Sequence, residues 1–248
     1  MTKLKLLALG VLIATSAGVA HAEGKFSLGA GVGVVEHPYK DYDTDVYPVP
    51  VINYEGDNFW FRGLGGGYYL WNDATDKLSI TAYWSPLYFK AKDSGDHQMR
   101  HLDDRKSTMM AGLSYAHFTQ YGYLRTTLAG DTLDNSNGIV WDMAWLYRYT
   151  NGGLTVTPGI AVQGNSENQN EYYYGVSRKE SARSGLRGYN PNDSWSPYLE
   201  LSASYNFVGD WSVYGTARYT RLSYEVTDSP MVDKSWTGLI STGITYKF

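Results

Sequence analysis

The last fourteen residues, 235–248, alternate strictly between two kinds of side chain. One set is mostly apolar and has aromatic residues near both ends: Trp236, Gly238, Ile240, Thr242, Ile244, Tyr246 and Phe248. The residues between them are mostly polar. A period of two over this length indicates an extended strand with one apolar and one polar face. Aromatic residues at the two ends of an apolar face are typical of a strand that crosses a bilayer. The alternative is the edge strand of a soluble sandwich.

The first 22 residues predict export. Lys3 and Lys5 precede a short apolar core at 6–14, and Ala20 and Ala22 are small residues at the positions that signal peptidase reads. We therefore expect cleavage before Glu23, which makes 1–22 a signal peptide and 23–248 the mature barrel domain. The apolar run is too short to be a membrane-spanning helix.

Composition separates the classes of exported protein. The chain has no cysteine, so disulfides cannot stabilise it. No apolar run of eighteen follows the signal, which excludes a helical membrane protein but not a barrel, because lipid-facing and lumen-facing residues alternate along each barrel strand. Loss of Lys3 and Lys5 leaves 19 basic against 25 acidic residues. That balance excludes nucleic acid as a partner.

Alternating runs recur along the chain, and the lengths of their connections predict the topology. Short turns fall near 118–121, 151–153 and 208–210, whereas 91–106, 131–138, 164–194 and 225–234 are longer and polar. Short periplasmic turns and long external loops are typical of outer-membrane barrels. We predict an all-β, antiparallel transmembrane β-barrel in the outer membrane of a Gram-negative bacterium, surrounded by outer-membrane lipid and lipopolysaccharide.

The strand number depends on the segment 58–71. Bacterial single-chain barrels have an even number of strands, so we expect a break at 63–67 that leaves two short arms, Phe59–Arg62 and Tyr68–Trp71, and gives twelve strands. Ten strands remain the alternative if one N-terminal segment stays out of the wall. Pro48 and Pro50 fit this assignment poorly, because proline is disfavoured in central strands.

The inward faces of the predicted strands carry charges of both signs. They are Arg125, Asp142, Arg148, Glu200, Arg218 and Lys247. We expect these groups to form a closed lumen held by salt bridges, with an open pore as the alternative.

Motifs for catalysis or cofactor binding are missing from the sequence. The glycine run at 29–33 lacks the spacing of a dinucleotide loop. His97 and His101 are an incomplete metal site, and His101 with Asp103 and Asp104 shows no catalytic spacing. We predict no catalytic, cofactor or metal residues, and a protein that is not an enzyme.

The connection 164–194 combines tyrosine with arginine, a mixture that suits a contact surface. Its candidate contact residues are Tyr172, Tyr173, Tyr174, Arg178, Arg183, Arg187 and Tyr189. The alternative is a hairpin that extends above the membrane and ends in a solvated tip.

Several segments resemble the MltA-interacting protein (MipA/OmpV) family of outer-membrane proteins. They are 171–177 with 184–186 and Tyr189, then 219–222 with 228–232, and the C-terminal 243–248. Ile240, Ile244, Tyr246 and Phe248 also resemble the C-terminal signal by which outer-membrane barrels are recognised for assembly.

The family resemblance implies a function without catalysis. It implies a scaffold that brings a membrane-bound lytic murein transglycosylase together with a bifunctional penicillin-binding murein polymerase in peptidoglycan biogenesis. Two other functions stay open on the residues alone: a pore for small solutes, and a surface adhesin that uses the 164–194 loop.

Overall fold

A computed structural model describes residues 25–248. The predicted signal peptide and its cleavage site at Ala20, Ala22 and Glu23 lie outside the described residues. The described chain forms one antiparallel sheet of thirteen strand segments. The segments are β1 (Lys25–Glu36), β2 (Asp45–Glu55), β3 (Phe59–Arg62), β4 (Gly65–Asn72), β5 (Asp76–Ser85), β6 (Thr108–Thr119), β7 (Gly122–Asp131), β8 (Ile139–Leu146), β9 (Tyr149–Asn151), β10 (Leu154–Asn165), β11 (Ser194–Val208), β12 (Trp211–Arg221) and β13 (Trp236–Lys247).

The sheet closes on itself into a barrel of twelve strands. The last strand, β13, pairs with β1 from Ser27↔Lys247 to Glu36↔Gly238. The short segments β8 and β9 both pair with β10 and are two parts of one wall strand. Closure leaves no free edge along most of the wall, which is what a membrane-spanning sheet requires. The predicted all-β barrel of twelve strands is confirmed.

The twelfth strand depends on the glycines at 63–67. β3 and β4 form a hairpin that turns at Gly63 and Leu64, and Gly63 has a φ of +58°. A positive φ costs glycine little and other residues more. The predicted break in 58–71 is therefore confirmed. The first arm is Phe59–Arg62 as predicted, whereas the second runs from Gly65 to Asn72 rather than from Tyr68 to Trp71.

Apolar side chains cover the outside of the wall. Exposed residues at alternate positions include Ile160, Leu199, Val213 and Ile240. Aromatic pairs lie near both ends of this band, such as Trp211 with Tyr246 and Tyr219 with Trp236. An outward apolar band with aromatic girdles is the lipid-facing surface of an outer-membrane barrel.

The two ends of the barrel differ. Turns of two or three residues close one end, at 56–58, 73–75, 120–121, 152–153 and 209–210. The other end carries the connections 37–44, 86–107, 132–138, 166–193 and 222–235. In outer-membrane barrels the short turns face the periplasm, so we name these the periplasmic and external ends.

The external connections fold into a compact layer, which we call the cap. It contains α1 (Glu167–Tyr174), α2 (Arg178–Ser184), the short α3 (Tyr224–Thr227) and two 3-10 turns, Ala91–Asp93 and Met99–His101. Ser166 and Ser177 are the N-cap residues of α1 and α2, and Ser177 with Glu180 forms a capping box. The connection 164–194 is thus two capped helices rather than an extended hairpin with a solvated tip. No helix within residues 25–248 is long and apolar enough to cross a membrane.

Candidate functional site

Arg125 lies at the centre of a charged cluster on the inner wall. Its Nη2 is 3.2 Å from Oε2 of Glu200 and 3.5 Å from Oδ1 of Asp142. The Tyr198 hydroxyl donates a hydrogen bond to Asp142 at 2.6 Å. The Arg125 and Glu200 side chains are buried. A buried charge is tolerated when it is paired and hydrogen-bonded, and here one guanidinium serves two carboxylates.

The other predicted lumen charges find different partners. Arg218 donates to the amide oxygen of Gln163 at 2.7 Å, and its guanidinium carbon lies 3.6 Å from the centre of the Tyr198 ring. The guanidinium carbon of Arg148 lies 5.9 Å from the Tyr123 ring centre. The structure therefore brings Arg125, Asp142 and Glu200 together as salt bridges and holds Arg218 by an amide and an aromatic ring.

A second inner cluster, nearer the periplasmic end, was absent from the sequence prediction. The carboxylate of Glu55 accepts hydrogen bonds from Arg62, from Lys77 at 3.0 Å and from the Tyr69 hydroxyl at 2.6 Å. Glu55 ends β2 and Lys77 is the second residue of β5, so the alternation along the strands in the sequence did not mark them as inward-facing. The alternation along β5 could have identified Lys77 as inward-facing, because it lies on the same face of the strand as Ser79 and Thr81.

Small polar side chains fill the inner wall between these clusters. Inward-facing residues from five different strands are buried: Ser79, Thr81, Thr127, Thr157, Thr216 and Ser241. Thr216 and Ser241 are 2.7 Å apart between hydroxyl oxygens. Side chains that line a water-filled channel would be exposed to it. These six side chains are therefore shielded from solvent, whereas the inward-facing Ser204, nearer the periplasmic end, is exposed.

The cap has a hydrophobic core of its own. Tyr39, Phe89, Met99, Tyr173 and Met231 come from four different connections and are all fully buried. The rings of Tyr39 and Phe89 are 4.9 Å apart between centres. Contacts between distant connections, rather than any one loop, hold the cap on the external end.

A buried ion pair links the two largest connections of the cap. Nη2 of Arg105 is 2.8 Å from Oε1 of Glu180, and both side chains are less than 10% exposed. The Glu180 carboxylate also accepts from the backbone N–H groups of Ser177 and Asp103, each at 3.0 Å. Burial alone would raise the pKa of Glu180, but these donors and the Arg105 charge outweigh burial and lower the pKa to about 2.

Several residues of the predicted contact loop are structural. Tyr173 and Tyr174 are buried in the cap core, so they are not exposed contact residues. The hydroxyl of Tyr172 accepts from the backbone N–H of Lys106 at 2.8 Å. Tyr189 donates from its hydroxyl to the carbonyl of Glu225 at 2.8 Å. The tyrosines of this loop hold the cap together because their hydroxyls reach backbone groups of other connections.

The arginines of the same loop lie on the outer surface of the cap. Arg183 contacts Asp103 at 2.6 Å, and Arg187 contacts Asp228 at 3.1 Å. Arg178, at the start of α2, is exposed. These are surface ion pairs, which stabilise little by themselves.

The residues of the predicted assembly signal lie on the lipid-facing side of β13. Ile240, Ile244 and Phe248 are exposed, and the Tyr246 ring packs 4.9 Å from the Phe248 ring. The backbone N–H of Phe248 donates to the carbonyl of Phe26 at 2.9 Å. The chain terminus is thus fixed to the first strand at the closing seam of the barrel.

The five short turns at the periplasmic end form a surface that we call the rim. Asp57, Asp73 and Asp210 are exposed in these turns, which contain no lysine or arginine, whereas Lys25 and Lys247 are exposed at the ends of the adjoining strands. Tyr121, at the tip of one turn, is 72% exposed. An exposed aromatic residue on the same rim as these carboxylates offers a contact surface for a basic partner.

Within residues 25–248, no group of three or more His, Cys, Asp or Glu side chains is placed to hold a metal ion. The rings of His97 and His101 are 4.8 Å apart between centres, on the surface of the cap.

Comparison with known proteins places the chain among outer-membrane proteins. The family model "MltA-interacting protein MipA" matches residues 28–248. The chain is 98% identical to the MltA-interacting protein of Escherichia coli K12 over all 248 residues of both chains. It is 39% identical to the putative outer membrane protein YiaT of the same strain, over 90% of this chain and 91% of that one. It is 23% identical to OmpV of Vibrio cholerae, over 91% and 88%.

Among solved structures, the chain is similar to an outer-membrane channel from Pseudomonas putida F1, with 10% identity, a TM-score of 0.48 and coverage of 94% and 98%. It is also similar to the NanC porin, with 12% identity, a TM-score of 0.43 and coverage of 91% and 100%. The family model spans the barrel from its first strand to its last.

Proposed function

Because the chain belongs to the MltA-interacting protein family of outer-membrane proteins, we propose that it is a non-enzymatic scaffold that holds a lytic murein transglycosylase at the inner surface of the outer membrane. The observation that carries this proposal is the packed interior. Inward-facing residues such as Arg125, Thr157 and Thr216 are buried, and a folded cap covers the external end. A barrel filled in this way can anchor a partner without conducting solutes.

The rim is the surface that a periplasmic partner would meet. Asp57, Asp73 and Asp210 give it negative charge, and Tyr121 adds an apolar ring. Charge complementarity speeds encounter and fixes orientation, and it weakens as salt rises. We infer that the transglycosylase contacts the rim through a basic surface.

A scaffold acts by raising the concentration of one partner near another. If a bifunctional penicillin-binding murein polymerase also binds, two enzymes held within one complex meet at an effective concentration in the millimolar range for short flexible links. Cleavage and synthesis of murein would then be coupled without any chemistry in the barrel itself.

A barrel fold also suits a pore, and the second candidate function is passage of small solutes. The buried salt bridges of Arg125 oppose it, since an open channel would hydrate them. Planar-bilayer recordings separate the two functions: the scaffold predicts no stable conductance, whereas a pore predicts conductance that changes when Arg125 or Arg148 is neutralised.

Binding to the barrel in nanodiscs tests the proposal. A purified lytic transglycosylase of the MltA type should bind the wild-type protein. The triple variant Asp57→Asn, Asp73→Asn, Asp210→Asn should bind at least tenfold more weakly. A matched triple variant on the cap, Asp103→Asn, Glu171→Gln, Asp228→Asn, should bind as the wild type does. Equal affinity of both variants would refute the rim as the binding surface.

A further inference from the structure

The external half of β2 has a partner on one side only. β2 pairs with β1 along its whole length, from Lys25↔Glu55 to Val35↔Asp45. It pairs with β3 only through Asn53–Glu55. Within residues 25–248, residues 45–51 have no strand partner on their other side. The reason is the β3–β4 hairpin, which turns at Gly63 and Leu64, just above the pairs that its arms make with Asn53 of β2 and Tyr83 of β5.

The next strand that reaches this height is β5. Gly65 of β4 pairs with Tyr83 of β5. The last hydrogen bond between the hairpin and β5 on the external side runs from the Trp84 N–H to the carbonyl of Leu64, at 3.0 Å. Two strands are thus missing between β2 and β5, a width of roughly 14 Å at the usual spacing of neighbouring strands. We call this space the wall opening. It is bounded by 45–51, Leu64 and 84–85.

The prolines of β2 lie on the edge of the wall opening. A strand residue directs its N–H and C=O to one side, and the next residue directs them to the other. The carbonyl of Ile52 accepts from Gly63 on the β3 side, so the backbone nitrogens of Pro48 and Pro50 face the same side. Proline has no N–H, and these two residues therefore leave no unpaired donor toward the membrane. They also prevent a second chain from adding a full strand to this edge.

The inner lining of the wall opening is apolar and accessible. Val49 and Val51 face inward on β2 and keep part of their surface exposed, as does Tyr83, which faces inward on β5 just below the opening, beside Gly65. Elsewhere on the inner wall, apolar residues such as Met110 and Leu146 are buried, as are small polar residues such as Thr157 and Thr216. Apolar surface that stays exposed on the inward side of a barrel strand is unexpected unless something apolar reaches it.

The external side of the wall opening is closed by the cap. The hydroxyls of Tyr47 and Tyr88 are 2.5 Å apart, and both side chains are buried. Access from outside the cell is therefore covered. On the side that faces the bilayer, the outward residues Val46, Pro48 and Pro50 of this edge are exposed.

We propose that the wall opening binds an acyl chain of an outer-leaflet lipid, which enters sideways between β2 and β5 and lies against Val49, Val51 and Tyr83. The membrane supplies acyl chains at this depth, and the lining offers them an apolar surface in place of the polar lumen. The carbonyl oxygens of Pro48 and Pro50 stay available to accept a hydrogen bond from a donor near the head of the chain. The inference does not depend on the scaffold function.

Photolabelling from within the bilayer tests this site. The wild-type barrel is reconstituted with phosphatidylcholine that carries a diazirine in its acyl chain, and labelled residues are identified by mass spectrometry. Outward residues such as Ile160 and Leu199 should be labelled in any case. The proposal predicts additional labelling of Val49, Val51 or Tyr83. Labelling confined to outward residues would overturn it, as would equal labelling of the inward control residue Thr157.

Filling the wall opening provides the second measurement. Val49→Trp should lower labelling of Tyr83 at least fivefold, because the larger ring occupies the space of the chain. Ile160→Trp, on the closed part of the wall, should leave it unchanged. Both variants are first checked for the heat-modifiable gel mobility of a folded barrel. Undiminished labelling in a folded Val49→Trp variant would contradict the proposal.

Discussion

Replacing Arg125 by Met tests whether the interior is as dry as its packing indicates. The guanidinium lies 3.2 Å from Glu200 and 3.5 Å from Asp142, and Met keeps much of the apolar stem. The variant leaves two carboxylates inside the wall without their shared cation. Removing one partner of a buried ion pair costs about 3–5 kcal/mol. Because Tyr198 still donates to Asp142, only Glu200 loses its main partner, and we expect about 3 kcal/mol.

A second substitution separates this explanation from simple loss of packing. The double variant Arg125→Met, Glu200→Gln removes the stranded charge and should recover most of the loss, to within about 1 kcal/mol of wild type. Arg178→Met, on the exposed surface of the cap, serves as the control and should change stability by less than about 0.5 kcal/mol.

Urea unfolding in phospholipid vesicles, followed by tryptophan fluorescence, measures these differences. A loss below about 1 kcal/mol in Arg125→Met would contradict a dry interior, because it would mean that water already reaches Glu200 and solvates it. A double variant as unstable as the single one would refute it too. Either result would favour a hydrated lumen and hence the pore function.

Three further predictions concern the cap, the lumen and the closing seam. Glu180→Gln should speed hydrogen exchange across α2 at neutral pH, whereas Glu171→Gln should not. The expected loss of local stability is about 3 kcal/mol, because the pKa of Glu180 is about 2 in the folded cap and returns to the ordinary 4.5 when the cap opens. Since the folded pKa is the lower one, the wild-type cap should keep this contribution above pH 4.5 and lose it as pH falls toward 2; protection of α2 that stays constant over that range would contradict the assignment. Planar bilayers that contain the wild-type protein should show no stable conductance, and long-lived channel steps would contradict the packed interior. Phe248→Ala should slow assembly, as measured by the fraction of heat-modifiable barrel in pulse-chase gels, because it removes the ring that packs on Phe26; an unchanged rate would contradict a role for that ring.

Strand positions could be predicted because the lipid imposes a period of two on the sequence. The alternation at 235–248 predicted β13 to within one residue at each end. The glycines at 63–67 predicted the turn of the β3–β4 hairpin, since one of them adopts a positive φ. Membrane-facing alternation is a local property, and local sequence is enough to recognise it.

The cap could not be predicted in the same way. Its helices α1 and α2 are short and largely polar and show no apolar stripe, so periodicity gave no signal for them. Tyr173 and Tyr174 are buried by residues from other connections, which a tyrosine-rich loop does not reveal. The partners Arg105 and Glu180 are 75 positions apart. Only the closed barrel brings their connections together.

The prolines of β2 obey the rule that proline avoids central strands, but the sequence alone did not show that they lie on an edge. Pro48 and Pro50 fit a central strand poorly, and the structure explains why: they lie on an edge that exists only because the neighbouring hairpin is short. Recognising this edge requires the relative heights of β2, β3 and β5. These follow from register, which the sequence does not fix by itself.

Site-specific photo-crosslinking in living cells tests whether the rim is the surface that binds the transglycosylase. A photoreactive amino acid is placed at Tyr121 on the rim or, as the control, at Arg178 on the cap, and the captured proteins are identified. A scaffold that binds through the rim should give a crosslink to the lytic transglycosylase from position 121 and none from position 178. Capture from the cap position, or from neither position while the partner still co-purifies with the barrel, would contradict it.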